Sequence, residues 1–239
     1  MDEATAGGAP TPWYMKLHWQ VVVALGAGVA FGWLAPEPAI AIGFVGDLFL
    51  NLLKMIIIPI IFTSLVSGIA SLGDARAVGR VGLRTLIYYT CTTALAITVG
   101  LTLVNVINPG RHIELASIGE LPSDISTEVT TLPEFLLRMV PENVVAAMAA
   151  GEVLPVIVFA ILFGLVLTRL DGPGPEAVHR VVDGTLEVIQ LLTLAIVKLA
   201  PVGIFALLAR EVARSGPGII WQLRYYFFTV GLGLLIHAF

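Results

Sequence analysis

The sequence predicts an all-α integral membrane protein with about six transmembrane helices. Its 239 residues are 57% hydrophobic and only 13% charged, which lies outside the range of soluble globular proteins. The apolar residues come in long blocks without the periodicity that would leave one polar face. Several blocks approach the length of about 20 residues that a helix needs to cross roughly 30 Å of hydrocarbon.

The first two spans are predicted at residues 17–34 and 43–70. Residues 1–12 are small and polar, and we expect a disordered cytoplasmic N-terminus before a transmembrane region that covers residues 13–239. Lys16 followed by an apolar run, with Ala-Ile-Ala at 39–41, also fits a secretory signal peptide. The length of that run and the spans that follow it favour a transmembrane helix.

The third span is predicted at residues 81–107, because Asn108-Pro109-Gly110 is a helix-stopping turn. The polar and acidic stretch at 108–131 is typical of an aqueous loop. Residues 132–168 predict a broken fourth span: the apolar block at 154–167 is too short to cross alone at about 1.5 Å per residue. Proline and glycine interrupt the part before it, which we expect to pack against protein.

A fifth span is predicted at 185–210 and a sixth at 219–239. Pro201 should kink the fifth span, as Pro59 should kink the second. The last apolar run is short for a full crossing, and we expect the chain to be cut inside that helix. A tilted terminal helix that starts near Ile219 is the alternative.

Arginine placement predicts the orientation. Arg76, Arg80 and Arg84 follow the second span, so the positive-inside rule puts that end and the N-terminus in the cytoplasm. The loop after the fifth span, which the same alternation places outside, conflicts with the rule because it carries Arg210, Arg214 and Arg224.

The sequence argues against an enzyme and against a nucleic-acid partner. It contains no HExxH, GxSxG, Walker A or CxxC motif, and its single Cys91 lies in an apolar block. The net charge of −4 and the scattered basic residues make no basic patch. We predict no cofactor, and we expect the four histidines to be interfacial or loop residues: His18, His112, His179 and His237.

The third span carries a stripe of hydroxyl groups, formed by Thr85, Tyr89, Thr92 and Thr93. At about 100° per residue these positions share one helix face. Hard cations prefer several oxygen ligands, and the two threonines with the Tyr89 carbonyl could supply part of a Na⁺ shell. The alternative is that threonine hydroxyls bond the carbonyl one turn back, as Thr93 would bond Tyr89.

Other features admit a structural and a functional interpretation. Gly28 and Gly32 form a small-xxx-small pair that permits close helix contact. Lys54 and Lys198 are charges inside apolar blocks, which either serve a function or snorkel to an interface. Asp47 precedes Lys54 by two turns and could share its face.

Three segments together resemble the dicarboxylate/amino acid:cation symporters, the family that includes the glutamate and aspartate transporters. Leu52–Gly110 (LLKMIIIPIIFTSLVSG through NVINPG) is similar to the second and third spans of that family. Met139–Leu167 (MVPENVVAAMAAGEVLPVIVFAILFGLVL) resembles its broken fourth span, and Lys198–Ala209 (KLAPVGIFALLA) its fifth.

The resemblance implies a homotrimer in the lipid bilayer and elevator-type alternating access. It implies a scaffold made of residues 17–34, 43–70, 132–168 and 185–210, and transport-domain spans at 81–107 and 219–239. It also implies that Tyr89, Thr92 and Thr93 contribute to a partial sodium site, although some relatives couple to protons.

The resemblance leaves two functional hypotheses. In the first, the chain is the N-terminal portion of an elevator-type transporter in the cell inner (plasma) membrane. That transporter carries acidic amino acids or C4-dicarboxylates with Na⁺ or H⁺. In the second, it is a truncated, non-transporting scaffold or oligomerisation module. The substrate-binding hairpins and broken helix of the family are absent from this sequence, so no substrate residues are assigned and the carboxylate would bind only with a C-terminal part.

Overall fold

The computed structural model describes residues 16–71, 75–112, 131–216, 218 and 224–238. The predictions of a disordered N-terminus at 1–12 and of an aqueous loop through most of 108–131 lie outside these residues. In the described part every regular element is a helix. The predicted all-α class is therefore confirmed.

The described residues form a succession of helices along the chain. Their bounds are α1 Leu17–Leu34, α2 Pro36–Ala41, α3 Gly43–Ala70, α4 Ala75–Ile107, α5 Leu132–Met139, α6 Val144–Ala150, α7 Val153–Leu167, α8 Pro173–Val197, α9 Ala200–Ser215 and α10 Arg224–Ala238. A 3₁₀ turn at Pro109–His112 follows α4.

Three stretches of the described chain are long and apolar enough to cross a membrane: Leu17–Leu34, Pro36–Ala70 and Gly79–Ile107. The helices α8 and α9 make a fourth candidate together, bent by 50° at the break between them. Pro201 is the second residue of α9, where its missing N–H costs no helical hydrogen bond. One helix ends at Val197 and the next begins at Ala200, whereas a single kinked helix was predicted.

The region predicted as a broken span is divided into the three short helices α5, α6 and α7. Asn143 caps α6: its side-chain oxygen accepts hydrogen bonds from the backbone N–H groups of Val145 and Ala146, at 2.9 and 3.2 Å. Gly151 ends α6 with a φ of 74°, a left-handed conformation that glycine adopts without strain. Asn143 therefore explains where α6 begins, and Gly151 explains where it ends.

The chain divides into two compact units, Met1–Ile56 with Gln190–Ile219, and Ile57–Ile189 with Ile220–Phe239. In the first unit, α1 lies along α9. A methyl group added at Gly28 would come within 2.9 Å of the Phe205 carbonyl oxygen, and one at Gly32 would overlap the Ala209 carbonyl. Moving from Gly28 to Gly32 along α1 moves the contact from Phe205 to Ala209 along α9, so the two helices run parallel.

The core of the second unit forms where the C-terminal half of α3 meets α7 and α8. Val66, Ala160, Leu167 and Val182 are buried together. Gly164 of α7 lies against Ile69 of α3, which leaves no room for a larger residue. In the same unit α4 packs on α10.

Candidate functional site

The hydroxyl stripe of the third predicted span lies on α4. The Thr92 hydroxyl lies 3.0 Å from the Tyr88 carbonyl oxygen and 3.2 Å from the Tyr89 carbonyl oxygen, and donates its hydrogen to the backbone one turn back. A hydroxyl that donates inward keeps its lone pairs available as acceptors. Two of the oxygens proposed as cation ligands, Thr92 Oγ1 and the Tyr89 carbonyl, therefore lie next to each other.

The rest of the stripe is open. Thr85, Tyr89 and Thr93 are exposed, and Tyr89 has 62% of its surface accessible. None of the hydrophobic span Gly79–Ile107 is buried among the described residues. The helix thus presents a row of neutral oxygens that supplies part of a coordination shell, and a Na⁺ ion held there would need further oxygens from another segment.

An ion pair between α3 and α9 forms a second polar cluster, in the first unit. Arg210 Nη1 donates to Asp47 Oδ2 at 2.5 Å and lies 3.4 Å from the Gly43 carbonyl oxygen. Lys54 lies two turns further along the same helix, and the carboxylate of Asp47 takes its hydrogen bond from an arginine of another helix. Arg210 and Arg214 also lie inside α9, which extends to Ser215, and not in a loop as the sequence indicated.

A third cluster links α3 to α8 in the second unit. The Ser67 hydroxyl donates to Asp183 Oδ1 at 2.6 Å, and Asp183 Oδ2 lies 3.0 Å from Nδ1 of His179. The other ring nitrogen of His179 is buried and has no hydrogen-bond partner among the described residues. We expected His179 to be an interfacial or loop residue. The i, i+4 spacing of His179 and Asp183 was the available signal for this pair.

The titratable residues do not form a metal centre of the transition-metal type in the described ranges. No group of three or more His, Cys, Asp or Glu side chains comes together there, and Cys91 is exposed. The ligand chemistry on α4 is that of neutral oxygens. Such oxygens suit an alkali cation and do not suit zinc or copper.

The chain is similar to known membrane transporters over almost its whole length. A family model described as the sodium:dicarboxylate symporter family matches residues 17–239. The proton/glutamate-aspartate symporter of Escherichia coli K12 is 35% identical over 93% of this chain and 55% of its own length. The C4-dicarboxylate transport protein of Deinococcus deserti is 35% identical over 90% of the chain and 50% of that protein.

A third relative, the C4-dicarboxylate transport protein of Citrifermentans bemidjiense, is 37% identical over 88% of the chain and 49% of its own length. The chain thus spans about half the length of the curated relatives it matches. The family and these relatives are transporters and not enzymes. The match extends through all the described helices. We conclude that the chain belongs to the sodium:dicarboxylate symporter family.

Proposed function

We propose that the chain acts as the N-terminal part of a secondary active symporter that moves acidic amino acids or C4-dicarboxylates with Na⁺ or H⁺. The observation that carries this proposal is the family match over residues 17–239. The names of the relatives, proton/glutamate-aspartate symporter and C4-dicarboxylate transport protein, supply the two substrate classes.

In this proposal Tyr89, Thr92 and Thr93 supply part of a Na⁺ site. The 3.2 Å separation between the Thr92 hydroxyl and the Tyr89 carbonyl supports it, because a cation could contact both oxygens at once. The competing account is that Thr92 only satisfies the backbone, since its hydroxyl bonds a carbonyl one turn back. The two accounts differ in whether removing the hydroxyl changes the response to Na⁺.

We further propose a homotrimer of about six spans per chain that works by an elevator mechanism. Scaffold and transport spans are assigned as the family resemblance implies. The close contact of α1 and α9 at Gly28 and Gly32 supports a rigid scaffold. The unburied apolar span of α4 supports a helix that packs against a further part of the protein.

The proposed location is the cell inner membrane, with a cytoplasmic N-terminus. Two observations agree with the alternation of spans from which this orientation is inferred. Parallel packing of α1 and α9 agrees with their places as first and fifth spans, which cross in the same direction. Because Asp47 pairs with Arg210, this arginine need not act as a free positive charge that determines the topology.

The test is uptake by proteoliposomes that contain the product of the complete reading frame. We expect labelled aspartate, glutamate or succinate to accumulate when an inward Na⁺ gradient or an inward proton gradient is imposed. Uptake with neither gradient imposed gives the background. Accumulation of none of the three substrates under either gradient would contradict the proposal.

Residues 1–239 alone are the matched control. We expect them to insert and not to transport, because they cover about half of the length of the relatives. Transport by residues 1–239 alone would contradict the proposal that the chain is one part of a larger symporter. If neither protein transports, yet residues 1–239 form trimers in detergent, the non-transporting scaffold module becomes the better account.

A further inference from the structure

An apolar groove runs between α1 and α9 in the first unit, on the N-terminal side of their glycine contacts. It has a volume of about 640 Å³. One polar residue, Gln20, lies at its N-terminal end, and the other lining residues are apolar. The lining consists of Gln20, Val23, Ala24, Pro201, Val202 and Phe205.

Two lysines flank the polar end of this groove. Lys16 precedes Gln20 by four residues and caps the start of α1, and Lys198 precedes Pro201 by three residues in the break before α9. Because α1 and α9 are parallel, these starts lie at the same end of the helix pair. Both lysines are exposed. Each therefore lies about one turn beyond the apolar lining, within reach of a snorkelling side chain.

The two helix segments that carry these charges have no acidic side chains of their own: residues 16–34 contain no Asp or Glu, and neither do residues 190–209. Lysines that snorkel to a membrane interface attract the phosphate groups of anionic lipids. Trp19 lies in the same first turn of α1 and is exposed, as is typical of the headgroup level.

We propose that this groove binds an anionic phospholipid. One acyl chain lies against Ala24, Val202 and Phe205, and the phosphate group lies between Lys16 and Lys198. The apolar groove alone would accept any acyl chain. The two lysines at its polar end select a lipid with a negative headgroup. The site therefore predicts a preference for phosphatidylglycerol over phosphatidylcholine with the same chains.

The test titrates the purified chain in detergent with phosphatidylglycerol or with phosphatidylcholine of matched acyl chains, and follows the melting temperature. We expect phosphatidylglycerol to raise the melting temperature at lower concentrations. Replacing Lys16→Gln or Lys198→Gln should weaken its apparent affinity about fivefold for each lysine. Arg214→Gln, which removes an exposed cation at the C-terminal end of α9, opposite the end that carries the two lysines, should leave the affinity unchanged.

A second pair of variants tests the groove itself. Val202→Trp adds a bulky side chain at the groove wall. Val22→Trp adds the same side chain on α1 outside the lining. The two valines are almost equally exposed, with 57% of the surface of Val202 and 56% of that of Val22 accessible. We expect only Val202→Trp to weaken lipid binding. Equal stabilisation by the two lipids, equal effects of the two lysine variants and the Arg214 variant, or equal effects of the two tryptophans would overturn the proposal.

Discussion

Arg210 of α9 donates to the carboxylate of Asp47 on α3, with 2.5 Å between Nη1 and Oδ2. The same guanidinium nitrogen lies 3.4 Å from the Gly43 carbonyl oxygen. Gly43 lies against the Arg210 side chain, so a larger residue at that position would require the arginine to shift. A single arginine thus connects the start of α3 to α9 in a neutral pair.

Removing either member of this pair should lower the melting temperature of the chain. We expect Asp47→Asn and Arg210→Gln each to destabilise it, because each removes the charge-assisted hydrogen bond that joins α3 to α9. The double variant should lose less than the sum of the two single losses, as expected for a direct interaction. Thermal melting in detergent measures all three variants.

Arg214→Gln is the matched control for this pair. Arg214 lies one turn further along α9 and is exposed, so its removal should change the melting temperature little. Strictly additive losses at Asp47 and Arg210 would show that the two side chains do not interact.

The packing of α1 on α9 should depend on glycine at position 32. We expect Gly32→Ala to destabilise the chain by about 1–3 kcal/mol, because the added methyl overlaps the Ala209 carbonyl and overpacked contacts cost that much. Gly26→Ala in the same helix meets no atom within 4 Å and should be neutral or stabilising by up to about 1 kcal/mol. Reversible unfolding in SDS compares them. A Gly32→Ala protein as stable as Gly26→Ala would contradict the close contact.

The serine that joins α3 to α8 should contribute measurably to stability. We expect Ser67→Ala to cost about 1 kcal/mol, because it removes the hydroxyl that donates to Asp183. Ser71→Ala is the control: Ser71 directly follows α3, and its exposed hydroxyl bonds only the Gly68 carbonyl three residues earlier. The same SDS titration distinguishes them. Equal losses at the two serines would argue that the bond to Asp183 adds nothing.

If the hydroxyl stripe binds Na⁺, its threonines should control the Na⁺ dependence of uptake in the complete protein. We expect Thr92→Ala and Thr93→Ala each to raise the Na⁺ concentration for half-maximal uptake on the order of tenfold, as for a lost ligand worth about 1.4 kcal/mol. Thr92→Ser keeps the hydroxyl and should behave like the unaltered protein.

Thr98→Ala provides the control on the same helix. The Thr98 hydroxyl bonds the Ala94 carbonyl and lies off the predicted stripe, so its loss should not change the Na⁺ response. If Thr92→Ala and Thr98→Ala give the same Na⁺ activation curve as the unaltered protein, Thr92 is not a ligand, and its bond to Tyr88 is its whole role.

Helical class and apolar span positions followed from local properties of the sequence. The bounds of α1 and α3 are set by apolar blocks and by the residues that interrupt them, such as Ala35-Pro36 between α1 and α2. A block about as long as the hydrocarbon is thick forms a helix whatever its neighbours are, because unpaired backbone groups are too costly in lipid. The same reasoning placed an interruption at Pro141, which lies between α5 and α6, and another at Pro133, which instead lies in the first turn of α5, where proline is tolerated.

The bend between α8 and α9 was less predictable. The sequence indicated one fifth span over 185–210, whereas the described helices are Pro173–Val197 and Ala200–Ser215. Residues 173–184 are too polar to count as part of a span, yet they continue the helix, because amphipathic residues fold into helices outside hydrocarbon as well. The hydrophobicity pattern therefore located the apolar part of α8 and missed its polar N-terminal part.

The sequence by itself determined the membrane class, the hydroxyl stripe on one face of α4 and the presence of small residues in α1. These are properties of one segment, and helical periodicity is enough to reveal them. Only the tertiary structure decided which segments meet. Gly28 and Gly32 face α9, Asp47 bonds Arg210, and Ser67 bonds Asp183. These partners lie more than 100 residues apart, and no local pattern specifies a partner, because many apolar and small residues would pack equally well until the chain brings two particular helices together.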